Sequence, residues 1–238
     1  MKKIILTGFL LISISMGYGQ KLYKKDLLNL EKDIYSHALK NYDLDAAKNA
    51  VYHIIALEGE QSTFIDTLAY IYYNEKNYVS CLQVSNRILK QKEKPDILQF
   101  KAVCLENLND IKAAIAVYEK IYAIKKDVLS AYKLAQLQQR LKRSAEAYAT
   151  LKSAENLKFP EKAYITFPTA KKGEVQKVPF KAAFYNLMAQ TSYDLHNYEM
   201  AIKYYDEALK IYPDFFVAKQ NRQVIKMLQD KLKDKKEK

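Results

Sequence analysis

A small residue returns along this chain at near-constant intervals: Ala47, Cys81, Ala114, Ala147 and Ala201 are separated by 34, 33, 33 and 54 residues. After each, an apolar or small residue follows at about +4 and another at +7, the spacing that paints one face of an α-helix. Twelve residues before each marker lies a second position, held by Tyr35, Ala69, Ala102, Ala135 and Ala189. Between the two sits a residue suited to begin a helix: Asp43, Asn77, Asp110, Ser144 and Asn197. Their short side-chain oxygens can accept hydrogen bonds from unpaired first-turn N–H groups. The unit is therefore helix, short turn, helix. It is clearest in HNYEMAIKYYDEALKIYP, His196 to Pro213, where Pro213 forbids continuation. One such pair cannot bury its apolar face alone, so the copies must stack. Small residues at the two marked sites let paired helices approach closely while larger neighbours interlock around them.

The breakers agree with an all-α chain. Of five glycines, Gly8, Gly17 and Gly19 precede residue 20, while Gly59 and Gly173 fall between periodic runs. Pro95, Pro160, Pro168 and Pro179 also mark boundaries. With 49% hydrophobic residues, the 238-residue chain can bury a continuous core. The period breaks once, between the fourth and fifth copies. There AYITFPTAKKGEVQKVPF carries β-branched and aromatic residues on both sides of Lys171-Lys172-Gly173. This predicts an excursion hairpin with strands near 163–167 and 175–179; an irregular loop is the alternative. Pro168 and Pro179 suit edge or terminal strand positions. Beyond Pro213, residues 214–236 predict a final helix in which Phe215, Phe216, Val217, Val224, Ile225 and Leu228 cover the last repeat. The expected divisions are a leader at 1–19, repeats one to four at 20–158, the insertion at 159–181, repeat five at 182–215, and a capping helix with basic tail at 216–238.

This period and pattern resemble the tetratricopeptide repeat, a helix–turn–helix unit of about 34 residues. The resemblance covers roughly 28–215. In the last copy it rests on Tyr185, Met188, Ala189, Ala201, Ile202, Tyr205, Ala208, Leu209 and Pro213; in the second, on Ile65, Leu68, Ala69, Tyr72, Tyr78, Cys81, Leu82, Ile88 and Leu89. No copy has tryptophan at the first large position or glycine at the small one, and the first copy puts Tyr35 at the small site. The resemblance implies a right-handed superhelical solenoid whose first helices line a concave groove for peptides or partner helices. Carried over, the groove positions are Thr63, Asp66, Tyr70, Tyr73 and Asn74, then Gln99, Val103, Glu106 and Asn107. The fourth unit supplies Tyr132, Gln136, Gln139 and Arg140, and the fifth Asn186, Gln190, Tyr193 and Asp194. Tyrosines offer apolar contact with a polar tip, and amides can bond a peptide backbone. The family's lysine/asparagine clamp for C-terminal carboxylates is not reproduced: Lys32 sits at one clamp position, but Ser36 replaces the expected asparagine. Insertions in a solenoid map to one face and often shape its binding surface.

The N-terminus reads as an address. Lys2 and Lys3 precede an apolar run from Ile4 to Met16, and Gly17-Tyr18-Gly19 forms a small-x-small site before Gln20. This is the secretory signal pattern, with cleavage expected after Gly19 and the bacterial periplasm or exterior as destination. A retained anchor is the alternative, although a run of thirteen residues falls short of the roughly 20 that cross a bilayer as a helix. No later segment is apolar enough to span a membrane, so the cleaved chain is expected not to be an integral membrane protein. The formal charge of +12 falls to +10 without Lys2 and Lys3, and Lys231 to Lys238 hold a net +3 of it. The remainder is scattered along helices without a long basic block. A solvated mixed face or a surface for an anionic partner both fit; export disfavours nucleic acid. Cys81 and Cys104 sit at apolar helical positions, as buried thiols or, in an exported protein, a disulfide.

No constellation for catalysis is visible. His37, His53 and His196 are few and scattered, and there is no Gly-rich phosphate loop, no G-x-S-x-G and no H-E-x-x-H. The acidic residues read as helix surface or caps. The expectation is a non-enzymatic scaffold of the bacterial cell envelope, without cofactor or metal, that binds a peptide or partner protein in its groove. The alternative is a basic adaptor for anionic glycan or lipid head groups. The partner, the process and the oligomeric state are not legible.

Overall fold

The computed structural model describes residues 22–234; the expected leader at 1–19, its cleavage after Gly19 and the end of the basic tail lie outside them. These residues form two compact units that divide between Leu108 and Asn109. The first holds α1 (22–40), α2 (Leu44–Glu58), α3 (Phe64–Asn74), α4 (Tyr78–Gln91) and α5 (Pro95–Asn107). The second holds α6 (Ile111–Lys125), α7 (Val128–Arg140), α8 (Ser144–Ala154), β1 (Tyr164–Pro168), β2 (Val175–Pro179), α9 (Phe180–Asp194), α10 (Tyr198–Ile211) and α11 (Phe216–Asp234).

The turn inside each repeat is built one way. Its first residue is left-handed at Tyr42, Lys76, Asn109, Lys142 and His196, with φ between 57° and 62°. In four of the five turns the next N–H reaches back to close the preceding helix: Asp43 to the Ala38 carbonyl, Asn77 to Tyr72, Arg143 to Gln138 and Asn197 to Ser192, at 2.9–3.0 Å. That is the six-to-one bond of a helix-ending Schellman motif. The same residue then opens the following helix. Side chains of Asp43, Asn77, Asp110 and Asn197 accept from Ala46, Ser80, Ala113 and Met200 N–H at 3.0–3.2 Å. The fourth turn differs from expectation. Ser144 is already the first residue of α8, and Arg143 precedes it without a side-chain cap; Arg143 bonds Glu146 Oε1 instead, at 2.7 Å.

The nine small marker residues from Ala47 to Ala201 are all 0% exposed. The tenth position, Tyr35, is half-buried and meets the Phe64 ring edge-on at 5.5 Å. In the first unit each helix from α2 to α5 packs on the next, and α3 also reaches α5. Ile65, Ala69, Ile88 and Ile97 form one buried cluster there, and Val51, Leu68 and Ile71 another. Cys81 and Cys104 are buried thiols hydrogen-bonded to each other. Cys81 Sγ also approaches the Ala69 carbonyl at 3.5 Å.

The second unit has one large core. Its hairpin pairs Ile165 with Val178 and Phe167 with Gln176 in an antiparallel register, and Gly173 turns it with φ +85°. A two-stranded hairpin is marginal alone; this one is anchored. Val178 is fully buried, Phe167 meets Phe215 at 4.7 Å, and the Gln176 amide donates to the Asp214 carbonyl and accepts from Phe216 N–H at 2.9 Å each. Phe159, just before the hairpin, packs edge-on to Phe184 at 5.1 Å. The insertion is therefore structural: it packs against both α9 and α11. Phe215, just before α11, and Ala218 and Ile225 within it are buried, whereas Val224, expected in the cover, is 48% exposed.

Candidate functional site

In α7 the buried stripe takes Ala131, Tyr132, Leu134, Ala135, Leu137 and Gln138, leaving Gln136 and Gln139 half-buried and Arg140 exposed. In α9 the helical register leaves Gln190 half-buried with Tyr193 and Asp194 exposed. The C-terminal turns of these two helices open onto a cleft of about 570 Å³ lined by Gln139, Arg140, Lys142, Gln190, Tyr193 and Asp194. Its remaining wall is Tyr205 of α10 with Asn221, Val224 and Ile225 of α11.

The cleft is polar at its rim and apolar at its back. Gln139 Nε2 donates to Asp194 Oδ2 at 3.1 Å, and Ser144 Oγ donates to the same oxygen at 3.3 Å. These bonds hold the carboxylate at the α7–α9 side of the opening. Arg140 donates to Asn109 Oδ1 at 3.4 Å, a long contact that leaves most of its five N–H donors available. Burial pushes the Tyr205 hydroxyl up to about 12, with Asn221 as its hydrogen-bond partner. It therefore presents a neutral phenol at neutral pH. Of the expected groove residues, Gln139, Arg140, Gln190, Tyr193 and Asp194 meet here.

Two expected contacts are corrected. Tyr132 is 5% exposed and packs edge-on against Phe180 at 5.1 Å; the insertion places that ring over it, and burial raises its hydroxyl's pKa. Asn186 is 2% exposed. It lies on the helix that packs against α7, α8, α10 and both strands, so a position open in a simple repeat is enclosed here. Its Oδ1 has no hydrogen-bond partner among the described residues.

The remaining expected residues belong to the first unit. Tyr73 stacks on Phe100 at 4.8 Å, and Tyr70, 55% exposed, lies 6.3 Å from the same ring. Asp66 is ion-paired with Lys94 and, with Thr63, borders a smaller cleft of about 280 Å³. Asn74 is exposed, as is Asn107, which caps back onto the Val103 carbonyl at 2.8 Å; Gln99, Val103 and Glu106 are half-buried. Lys32, at the clamp position, is paired with Glu58 at 2.8 Å. The residues that sequence reasoning missed are Lys142, Tyr205, Asn221, Val224 and Ile225 as cleft walls. Asn221 was the available signal: a polar residue on the inward side of an otherwise apolar cap. Among the described residues, no three His, Cys, Asp or Glu side chains gather as an ion site, and no helix is long and apolar enough to cross a membrane.

Models of the tetratricopeptide repeat match residues 95–128 and 182–215. No curated protein sequence matches significantly. Among solved structures, this fold is similar to YrrB, described as a TPR protein with an unusual peptide-binding site: 15% identity, 79% of this chain and 88% of that one covered, TM-score 0.62. It is similar to MamA from Desulfovibrio magneticus RS-1, at 13% identity, 80% and 97% coverage and TM-score 0.60. A tetratricopeptide repeat protein from Parabacteroides merdae ATCC 43184 matches at 12% identity, 87% and 74% coverage and TM-score 0.59. At these identities the likeness concerns the fold, and it agrees with the repeats, turns and small contact residues above. The chain carries tetratricopeptide repeats, matched at 95–128 and 182–215, within a fold of the tetratricopeptide type.

Proposed function

We propose that this chain is a non-enzymatic interaction scaffold of the bacterial cell envelope that receives an extended peptide, or a segment of a partner protein, in the cleft of its second unit. The observation that carries this reading is the convergence of Arg140, Gln190 and Tyr193 from two first helices on one opening. Its volume lies within the roughly 300–1,000 Å³ of ligand clefts. An extended strand carries a backbone donor and acceptor at nearly every residue, and the Gln190 and Asn221 amides can serve both. Tyr193, Val224 and Ile225 supply apolar contact beside them, and Arg140 favours an acidic or carboxyl-bearing side chain. The peptide-binding site described for the structurally similar YrrB supports a peptide as the ligand class. The envelope location rests on the leader read in the sequence.

The test is affinity capture from envelope extracts by the chain starting at Gln20, followed by mapping of the bound segment and titration of that segment as a peptide. Tyr193→Ala and Arg140→Ala are expected to weaken peptide binding by about tenfold each, the effect of losing roughly 1–2 kcal/mol of contact. Unchanged affinity in both variants would remove the cleft from the account.

A further inference from the structure

We propose that the outward face of the β1–β2 hairpin docks this protein onto an anionic phospholipid surface, separately from the cleft. The segment 157–181 carries six lysines against Glu161 and Glu174, a net +4. The lysines are Lys158, Lys162, Lys171, Lys172, Lys177 and Lys181, and all six are exposed. Only Lys171 is neutralised within the segment, by Glu174 at 3.3 Å; among the described residues no carboxylate pairs with the other five. Lys181 lies over the Phe159 ring at 5.4 Å. This is a concentrated charge, distinct from the mixed Lys/Glu surface of the helices.

The pleat decides what accompanies the charge. Ile165, Phe167, Gln176 and Val178 face the core, so Tyr164, Thr166, Val175 and Lys177 face out. Tyr164 is 58% and Val175 65% exposed, and Lys177 stands directly across from Thr166. An aromatic and a β-branched side chain are thus held in water among lysines by a hairpin whose other face is locked into the core. A soluble polyanion would use the lysines and leave Tyr164 and Val175 without a role. A bilayer surface uses both, since its head groups carry the negative charge and the layer beneath accepts a tyrosine ring. Strand addition by a peptide is disfavoured. Thr169 N–H and Phe180 N–H bond across the hairpin to Glu174 and Ala163, which sets a register in which Pro168 and Pro179 occupy edge-facing positions. Each removes a donor that an added strand would need.

The experiment is co-sedimentation of the chain from Gln20, which contains every described element, with phosphatidylglycerol-containing and with pure phosphatidylcholine vesicles. Binding to the first alone, falling as salt rises, is the expected result. Lys162→Gln/Lys172→Gln/Lys177→Gln should lower partitioning roughly 100-fold, with the helical circular dichroism spectrum unchanged. Tyr164→Ser/Val175→Ser should lower it several-fold without weakening retention on dextran sulfate. A variant with Lys235, Lys236 and Lys238 changed to glutamine should still bind. Equal sedimentation with both vesicles, no sedimentation with either, or an unaffected triple hairpin variant overturns the proposal. So does retention on dextran sulfate without vesicle binding, which assigns the patch to acidic polysaccharide.

Discussion

Replacing Lys76 by glycine probes the turn on which every repeat depends. Lys76 sits at φ 57°, where a side chain bearing Cβ crowds the following carbonyl at about 1–2 kcal/mol. It holds that conformation because its own N–H and that of Asn77 close α3 onto the Tyr73 and Tyr72 carbonyls, at 3.1 and 3.0 Å. Its side chain is exposed, so truncation removes little packing. Glycine relieves the crowding, while its larger unfolded-state entropy takes back roughly 0.5–1 kcal/mol. The expected net is a gain of about 0.5–1 kcal/mol, read as a higher urea midpoint at unchanged slope. His196→Gly, at φ 59° in the second unit, should behave likewise. Asn109→Gly should gain less, because asparagine tolerates this region. Lys76→Val should lose at least about 1 kcal/mol, since a β-branched residue fits there worst. Loss of stability in both Lys76→Gly and His196→Gly, or an equal gain at Asn109, would refute the strain argument.

Other consequences follow from buried groups. Asn186→Leu removes an unpartnered acceptor in a nearly isosteric way and should leave stability unchanged or raise it by up to about 1 kcal/mol. Asn186→Asp should lower it by about 3 kcal/mol or more as an unpaired buried charge; thermal unfolding distinguishes the two. Tyr205 titrates near 12 in the fold, raised from 10.0 by burial. Its contribution is therefore complete below pH 10 and is lost as pH rises from about 10 to 12, up to roughly 2–3 kcal/mol. Absorbance titration at alkaline pH should show late-ionising tyrosine, and Tyr205→Phe should reduce the late fraction. Cys81 and Cys104 are both fully buried, and the Cys104 thiol is pushed up by its hydrogen bond with Cys81 and by burial. Native protein should resist a thiol reagent that modifies both cysteines once urea is added.

The repeat was legible because its signals are local. Residues at fixed spacing mark where helices touch, Asx side chains mark where they begin, and prolines mark where they stop. The hairpin was legible for the same reason: its β-branched and aromatic residues flank a Lys-Lys-Gly turn, and the observed strands are within a residue of the expected ones. Long-range cover was not legible. Tyr132 belongs to the groove by repeat register, yet Phe180, 48 residues later, lies against it. Asn186 shares that register on a helix surrounded by five other elements. The cleft's far wall escaped because α11 reads as a lid, and periodicity alone does not show that its inward side carries Asn221 beside Ile225. Ser144 was misplaced as a cap by a single residue, since Arg143 occupies the preceding position.

The central claim is that the partner enters the second-unit cleft. Site-specific photocrosslinking tests it directly, with a photoreactive phenylalanine analogue placed at Tyr193, at Gln190 and, as a control, at exposed Glu119 of α6, which does not line the cleft. In the native cells, one partner segment should crosslink from Tyr193 and Gln190 and not from Glu119, with the yield falling when Arg140 is changed to alanine. Adducts of equal yield from all three positions, or adducts from Glu119 alone, would contradict the account.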